Sequence, residues 1–424
     1  MKHNKNRLPS KSNNRSLKPG PVLSEADQQS INDKLQQATM AMDSGNLRQS
    51  QELINRILQM LPNHPDALNI RAALLMKTGE TLEAVRILTK ITNLIPKFAQ
   101  AHFNLGTALN ALGKPSRAVK SLKQALLLNP DYAEAHYNLG NSLRQTKHIE
   151  TAINHYEHCL KLNPSHVAAA TNLASAHLNL GNSSLALKAC ELARKSDPGN
   201  RDVFSFSAIA LTETGEPEKA EQILSPKIMV RPKQFDVRPG FESLKTLNQA
   251  LVEHVITHKT LATEPHNKAT RNGQQTGNLS LGDRGPVTEL QNMIGEALDE
   301  YLATIKNAKY HPYPFLIPSL SKIDIWGTVL GNQGHQTAHM HRSAWVSGVY
   351  YAQLPKTMQD SDNGYAGWIE FGRPPDEFKC QAEHAVHLLE PKEGLLVLFP
   401  SYLYHRTIPF KSDNKRISIA FDLL

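Results

Sequence analysis

The chain has 424 residues, 40% of them apolar, enough to bury real cores in two or three domains and too long for one compact unit. Its net charge of +8 gives a mild preference for anionic partners, and its three widely spaced cysteines exclude a disulfide scaffold or zinc ribbon and fit a reducing compartment. No stretch approaches the roughly 18 consecutive apolar residues that span a bilayer, and no apolar signal core follows Met1, so no membrane span and a cytoplasmic location are expected.

Lys2, Lys5, Arg7, Lys11, Arg15 and Lys18 precede the first acid, Glu25. Such a segment cannot bury enough apolar surface to offset its ordering entropy, so residues 1–30 are expected to form a disordered basic tail. A solubilising role is the plain expectation for it. A weak contact with nucleic acid or lipid is the alternative, and nucleic acid is not otherwise an expected partner.

Pro62, Pro96, Pro130, Pro164, Pro198 and Pro232 then recur with one period, about 34 residues, the length of a helix-turn-helix repeat. Gly45, Gly79, Gly113, Gly181 and Gly215 keep the same period and skip only Lys147; Ala84, Ala118, Ala152, Ala186 and Ala220 form a third register. The proline closes each unit and the glycine breaks the chain between its two helices. Six tetratricopeptide (TPR) repeats are therefore expected over residues 31–232, the first and last degenerate as capping repeats usually are. Cys159 and Cys190 occupy core positions of this register and are expected to be fillers.

Asn104, Asn138 and Asn172 recur beside the buried leucine of each first helix, as in "AHFNLG" and "AHYNLG". Here the chain resembles TPR arrays such as that of O-linked N-acetylglucosamine transferase, whose asparagine ladder grips an extended peptide. The resemblance implies a concave groove binding a protein or peptide through these three residues. An amide offers a donor and an acceptor to a main chain whatever its sequence. The competing expectation is that the asparagines satisfy inter-helix loops or solvent.

Beyond Pro232 the register ends. "SLKTLNQALVEHVITHKTL" (243–261) and "PVTELQNMIGEALDEYLATI" (286–305) read as amphipathic helices, with a polar loop over 267–285 between them, so residues 233–319 are expected to be helical support and linker. From residue 320 to 424 the pattern is short β-branched and aromatic strands separated by Gly, Pro and Asn turns, which suits a jelly roll. The expected fold is thus multidomain: an all-α TPR superhelix followed by an α+β domain with a double-stranded β-helix (jelly-roll) core.

"HQTAHMHRSAWVSGVYY" (335–351) places three histidines just before one of these strands. Residues two apart on an extended segment point the same way, so His339 and His341 share a side, roughly 7 Å apart at Cα. His405 follows in "FPSYLYHRTIPF", then Arg416 and Ser418 on one face of "KRISIAF". His335 is expected to be a loop histidine. Tyr350, Tyr351, Trp345 and Trp368 are expected to be packing residues, with one tyrosine able to reach a ligand, and Cys380 to be exposed.

These blocks in order resemble the Fe(II) and 2-oxoglutarate dependent oxygenases, in particular the TPR-linked bacterial branch with an H-x-H, SGVYY, GxIxF, LFPS, H, RIS pattern, over residues 240–424. The resemblance implies a hydroxylase using Fe(II) and 2-oxoglutarate, with His339 and His405 as metal ligands and Arg416 and Ser418 on the distal carboxylate of the keto acid. An arginine fork suits a carboxylate, and three protein ligands on one face leave the remaining positions for keto acid and dioxygen. The family's usual carboxylate two residues after the first histidine is His341 here. Either His341 completes a three-histidine set, or Asp324 or Glu370 does so from another strand. Arg416 has one competing role, an ion pair with Asp422 or Asp413. Two other readings stand beside the dioxygenase: a TPR scaffold with a non-catalytic barrel, and a cupin-like metal enzyme without 2-oxoglutarate.

Overall fold

The computed structural model describes residues 23–265, 268–308, 311–356 and 364–424. Most of the expected basic tail lies outside these residues. Its last part is helix: Glu25, six residues before the expected start of the repeats, opens α1 (Glu25–Asp43). Ser24 accepts a hydrogen bond from the Asp27 amide, and Glu25 and Asp27 place acidic charge where the helix N-terminus favours it.

The repeats follow as helix pairs: α1 with α2 (Leu47–Met60), α3 (Pro65–Lys77) with α4 (Thr81–Leu94), and α5 (Ala99–Ala111) with α6 (Pro115–Leu128). Next come α7 (Ala133–Gln145) with α8 (Ile149–Leu162), α9 (Val167–Leu180) with α10 (Ser183–Ser196), and α11 (Arg201–Glu213) with the short α12 (Pro217–Leu224). The five glycines of the ruler all sit at φ between 66° and 90°, the left-handed region that ends a helix without a Cβ penalty, and Lys147 takes φ 64° in the turn that lacks one. The alanines of the third register are buried between the helices of each pair.

The chain divides into two compact units at Ser142, inside α7. In the first, Ile31, Ile54, Ile57 and Leu74 are central to one apolar core. There the Asn104 amide donates to Asn69 Oδ1 at 2.9 Å and accepts from Gln100 Nε2 at 3.3 Å, while Asn138 Nδ2 donates to Thr107 Oγ1 at 3.2 Å. These amides therefore tie neighbouring helices together.

The second unit holds α8 to α12 and the sheet. Cys159 and Cys190 are fully buried among its helices. After α12 come α13 (Pro226–Met229), β1 (Arg231–Gln234), α14 (Leu244–Ile256), β2 (Ala262–Thr263), β3 (Thr270–Gln275), α15 (Val287–Ile305) and α16 (Tyr313–Leu316). The remaining strands are β4 (Ile323–His339), β5 (Val346–Gln353), β6 (Ile369–Phe371), β7 (His387–Leu389), β8 (Leu395–Pro400), β9 (His405–Thr407) and β10 (Arg416–Leu423). Pro232 is thus not the close of a repeat: it lies in β1, which pairs with β8. The polar loop expected over 267–285 contains β2's partner β3, which also pairs with β4. The sequence "TRNGQQ" has no β-branched run, but its Thr270 and Gln275 turn inward, so pairing with a long neighbour outweighs weak propensity.

All strand pairs are antiparallel, in the order β1-β8-β5-β10-β4-β9-β6-β7. The 17 residues of β4 curl the sheet, because Ile323–Leu330 pairs with β10 whereas Gln336 and His339 pair with β9. Between these runs Gln333 adopts φ 56°, which bends the strand. Leu247, Leu251 and Val255 of α14 and Leu290, Met293 and Ile294 of α15 complete the core of this sheet.

The last repeats share that core. Phe204 of α11 lies 5.1 Å from the ring of Tyr402 and 5.5 Å from that of His311. Ser205 Oγ donates to the Tyr402 carbonyl, and Phe206 meets Phe378 edge-on at 5.8 Å. Cys380, expected to be exposed, is half-buried beside this junction.

At the centre of the sheet, Gly348 of β5 has no room for a side chain. A Cβ there would lie 2.6 Å from Phe421 Cε2 and 2.7 Å from the Val397 carbonyl oxygen. Gly348→Ala is expected to destabilise the protein by about 1–3 kcal/mol through overpacking, read as a lower urea midpoint with an unchanged m-value.

Candidate active site

His339 ends β4 and His405 begins β9, directly opposite each other in the ladder. His341 follows two residues on, held by its amide donating to the Ser401 carbonyl at 3.1 Å. The three rings converge: centroids lie 4.3 Å apart for His339 and His405, 5.1 Å for His341 and His405, and 5.2 Å for His339 and His341. Their candidate ligand atoms all fall within 4.8 Å of one another.

Each ring is fixed through Nδ1. His339 Nδ1 meets the Thr337 carbonyl at 2.8 Å, His405 Nδ1 the Leu403 carbonyl at 3.0 Å, and His341 Nδ1 the Asp422 carboxylate at 2.6 Å. With Nδ1 engaged in this way, Nε2 of each ring is the nitrogen left to face a metal. Burial pushes the His339 imidazole down to about 3, with His341 adding to the effect, and holds His405 well below its ordinary value, so both are neutral at pH 7.

Arg416 is 1% exposed, at the start of β10. Its Nη1 donates to Ser418 Oγ at 3.1 Å and its guanidinium lies 5.0 Å over the Tyr351 ring. No acid among the described residues pairs with it, its Nε is buried without a hydrogen-bond partner, and the polar group beside the guanidinium is the Tyr351 hydroxyl. Burial pulls the guanidinium's pKa down and pushes the Tyr351 phenol up to about 12. A buried cation with no counter-charge is costly, so this corner is built to receive an anion.

The strand parity of β10 explains the arrangement. Arg416, Ser418, Ala420 and Asp422 line one cavity of about 570 Å³ together with the three histidines, while Ile417, Ile419 and Phe421 point into the core. The competing role for Arg416, an ion pair with Asp422, is therefore not seen. Asp422 instead accepts from His341 and, at 2.6 Å, from Ser347 Oγ. Its signal in the sequence was its even spacing from Arg416 and Ser418.

Neither alternative third ligand reaches the cluster. Glu370 is buried on the opposite face of β6, paired with Arg373 and, at 2.8 Å, with Arg406. Asp324 accepts from Asn278 Nδ2 at 2.9 Å and pairs with Lys322. His335 lies within β4 rather than in a loop, its Nδ1 against the Gln333 carbonyl. Asn172 is half-buried on α9, away from this cavity.

Residues 324–422 match the family described as "putative 2OG-Fe(II) oxygenase", a range that encloses the three histidines, Arg416 and Ser418. TPR families match residues 35–92, 106–147 and 133–166. No curated protein matches the chain. Among solved structures, the chain is similar to PilF of Pseudomonas aeruginosa (19% identity, TM-score 0.44, 48% of this chain and 93% of that one). It is also similar to a thermophilic TPR protein of Thermus thermophilus (23%, 0.37, 43% and 98%). A third is YrrB, described as a TPR protein with an unusual peptide-binding site (20%, 0.38, 41% and 90%).

Proposed function

We propose that this chain, TPR repeats joined to a domain of the 2OG-Fe(II) oxygenase kind, is an Fe(II) and 2-oxoglutarate dependent dioxygenase that hydroxylates a substrate recruited through its repeats. The observation that carries the reading is one cavity lined by three imidazoles with Nδ1 tied and by a buried arginine with no acidic partner among the described residues. The residues present fit both groups. His339, His341 and His405 would hold Fe(II) through Nε2, and Arg416 with Ser418 would hold the distal carboxylate of 2-oxoglutarate. When bound, the iron and keto acid supply dioxygen activation and C–H hydroxylation, with succinate and carbon dioxide as co-products. The curl of the sheet at β4, whose two runs pair with β10 and with β9, supports a jelly-roll reading in which both groups would share one interior.

The protein's own contribution is orientation and charge. Asp422 holds His341 in the Nδ1–H form and supplies beside it the negative charge that a liganding carboxylate would otherwise bring. Asp422→Asn is expected to weaken Fe(II) binding about 10–100-fold, as loss of such an outer partner typically does, measured by anaerobic calorimetric titration. Unchanged affinity would remove Asp422 from the site.

Support for recruitment lies at the last repeat. Arg201 of α11 donates to the carbonyl of Arg342 at 2.7 Å, and Asp202 pairs with the Arg342 side chain at 3.5 Å. Arg342 follows His341 and lines the cavity, so a polypeptide held near α11 would be close to its mouth. In the first unit, Asn104 and Asn138 would have to exchange their present bonds to grip a peptide. The test of the whole reading is anaerobic addition of Fe(II) and then 2-oxoglutarate, watching for the weak visible charge-transfer band of an iron-bound keto acid. Metal uptake with no band would favour a metal enzyme that does not use 2-oxoglutarate.

A further inference from the structure

Outside the three-histidine cluster, one other set of metal-ligating side chains comes together among the described residues: Glu213, Cys380 and His384, whose candidate ligand atoms also lie within 4.8 Å of one another. Glu213 is the last residue of α11, and Cys380 and His384 belong to the segment between β6 and β7. The Glu213 and His384 side chains are 7% and 10% exposed. Glu213 Oε2 accepts from the Gln381 amide at 2.8 Å, and Oε1 accepts from the Ala382 amide at 3.1 Å and from His384 Nε2 at 2.8 Å. Burial opposes the carboxylate's charge, but these hydrogen bonds outweigh it and hold Glu213 below its ordinary value. The neighbouring Cys380 thiol is pushed up to about 12 by burial and by that carboxylate. A buried carboxylate thus faces a thiol and an imidazole.

We propose that Glu213, Cys380 and His384 form a second metal site, distinct from the iron site, for a divalent cation of the zinc class. One sulfur, one nitrogen and one oxygen donor suit a borderline ion that takes all three. Metal–ligand bonds of about 2.0–2.3 Å at tetrahedral angles set donor separations of about 3.4–3.6 Å. The carboxylate and imidazole need to open by roughly half an ångström from their hydrogen bond, and the sulfur, within 4.8 Å of both, to draw in by no more than about one, which is side-chain movement. The Gln381 and Ala382 amides stay on the carboxylate and orient it, as outer-shell donors do. Metal binding displaces the thiol proton to solvent, moves the imidazole proton to Nδ1, and leaves the fourth position to water.

Such an ion would fasten the β6–β7 segment to the end of α11. Weaker links already run the same way: the Lys379 amide donates to the Leu178 carbonyl at 3.1 Å, and Asn179 Nδ2 to the Glu377 carbonyl at 3.0 Å. The site is thereby structural, locking the last two repeats onto the oxygenase sheet.

The discriminating probe is Co(II), because a thiolate ligand gives a near-ultraviolet sulfur-to-cobalt charge-transfer band that a three-histidine site lacks. The full chain is expected to bind two Co(II), with that band. Cys380→Ser should bind one and lose the band; His405→Ala should bind one and keep it. Zn(II) added to the wild-type chain should protect Cys380 from a maleimide, and a chelator should restore labelling. The other two cysteines are buried in α8 and α10 and stay unlabelled in either case. A wild-type chain showing no sulfur band and no zinc protection would overturn the assignment, whether or not Cys380→Ser folds, and so would a band that survives Cys380→Ser.

Discussion

His405→Ala is expected to abolish Fe(II) binding and, with it, all 2-oxoglutarate turnover to succinate. Loss of an outer hydrogen-bond partner alone typically costs about 10–100-fold in metal affinity, and losing one of three direct ligands exceeds that, to more than about 100-fold. The residue is also packed, 4.7 Å from the ring of Phe399, so the truncation leaves a small cavity. His405→Gln keeps most of the volume and removes the imidazole, which separates lost ligation from lost packing. In wild-type protein, Fe(II) at about 100 times its dissociation constant should raise stability by about 2.7 kcal/mol. Neither variant should show that gain. A variant that binds Fe(II) as tightly as wild type would dismiss the three-histidine site altogether.

The repeats were legible because TPR packing fixes residues at a strict period. The glycine ruler reports left-handed turns, and its gap at Lys147 is where the turn keeps its φ without glycine. The histidine cluster was legible for a different reason: alternation along a strand places His339 and His341 on one side, and Arg416 and Ser418 on another shared face. Partners drawn from distant strands were not. Asp422 is a candidate for Arg416 in the sequence, whereas in the sheet it stands opposite Ser347 and accepts from His341, 81 residues away. Glu370 and Asp324 carried suitable chemistry but point elsewhere, which only the pairing of β6 and β4 decides. The strand at Thr270–Gln275 lacked any β signal of its own, since its stability comes from β4. Glu213 was invisible as a ligand because the repeat pattern marks it only as a helix end, and the residues it meets lie about 170 positions later.

Arg416→Met is expected to produce two effects of opposite sign. The guanidinium is buried with no carboxylate beside it among the described residues, so the protein lacking 2-oxoglutarate carries an uncompensated desolvation cost. Methionine fills similar volume with no charge, and replacements of buried charge by apolar residues are often stabilising by about 1–4 kcal/mol. Thermal unfolding of the variant should therefore begin at a higher temperature than that of the wild type when no keto acid is present. The same change removes the only buried cation facing the cavity among the described residues, so 2-oxoglutarate affinity should fall on the order of 10²–10⁴-fold, from about 3–5 kcal/mol for breaking a buried charge pair. Wild-type protein should gain stability as 2-oxoglutarate is added in the presence of Fe(II), and the variant should not. Arg416→Lys keeps the charge but not the two-pronged geometry, so it should recover part of the affinity and none of the stability. If Arg416→Met instead destabilised the protein and left 2-oxoglutarate affinity intact, the arginine would be a packing element and the anion would have to bind elsewhere.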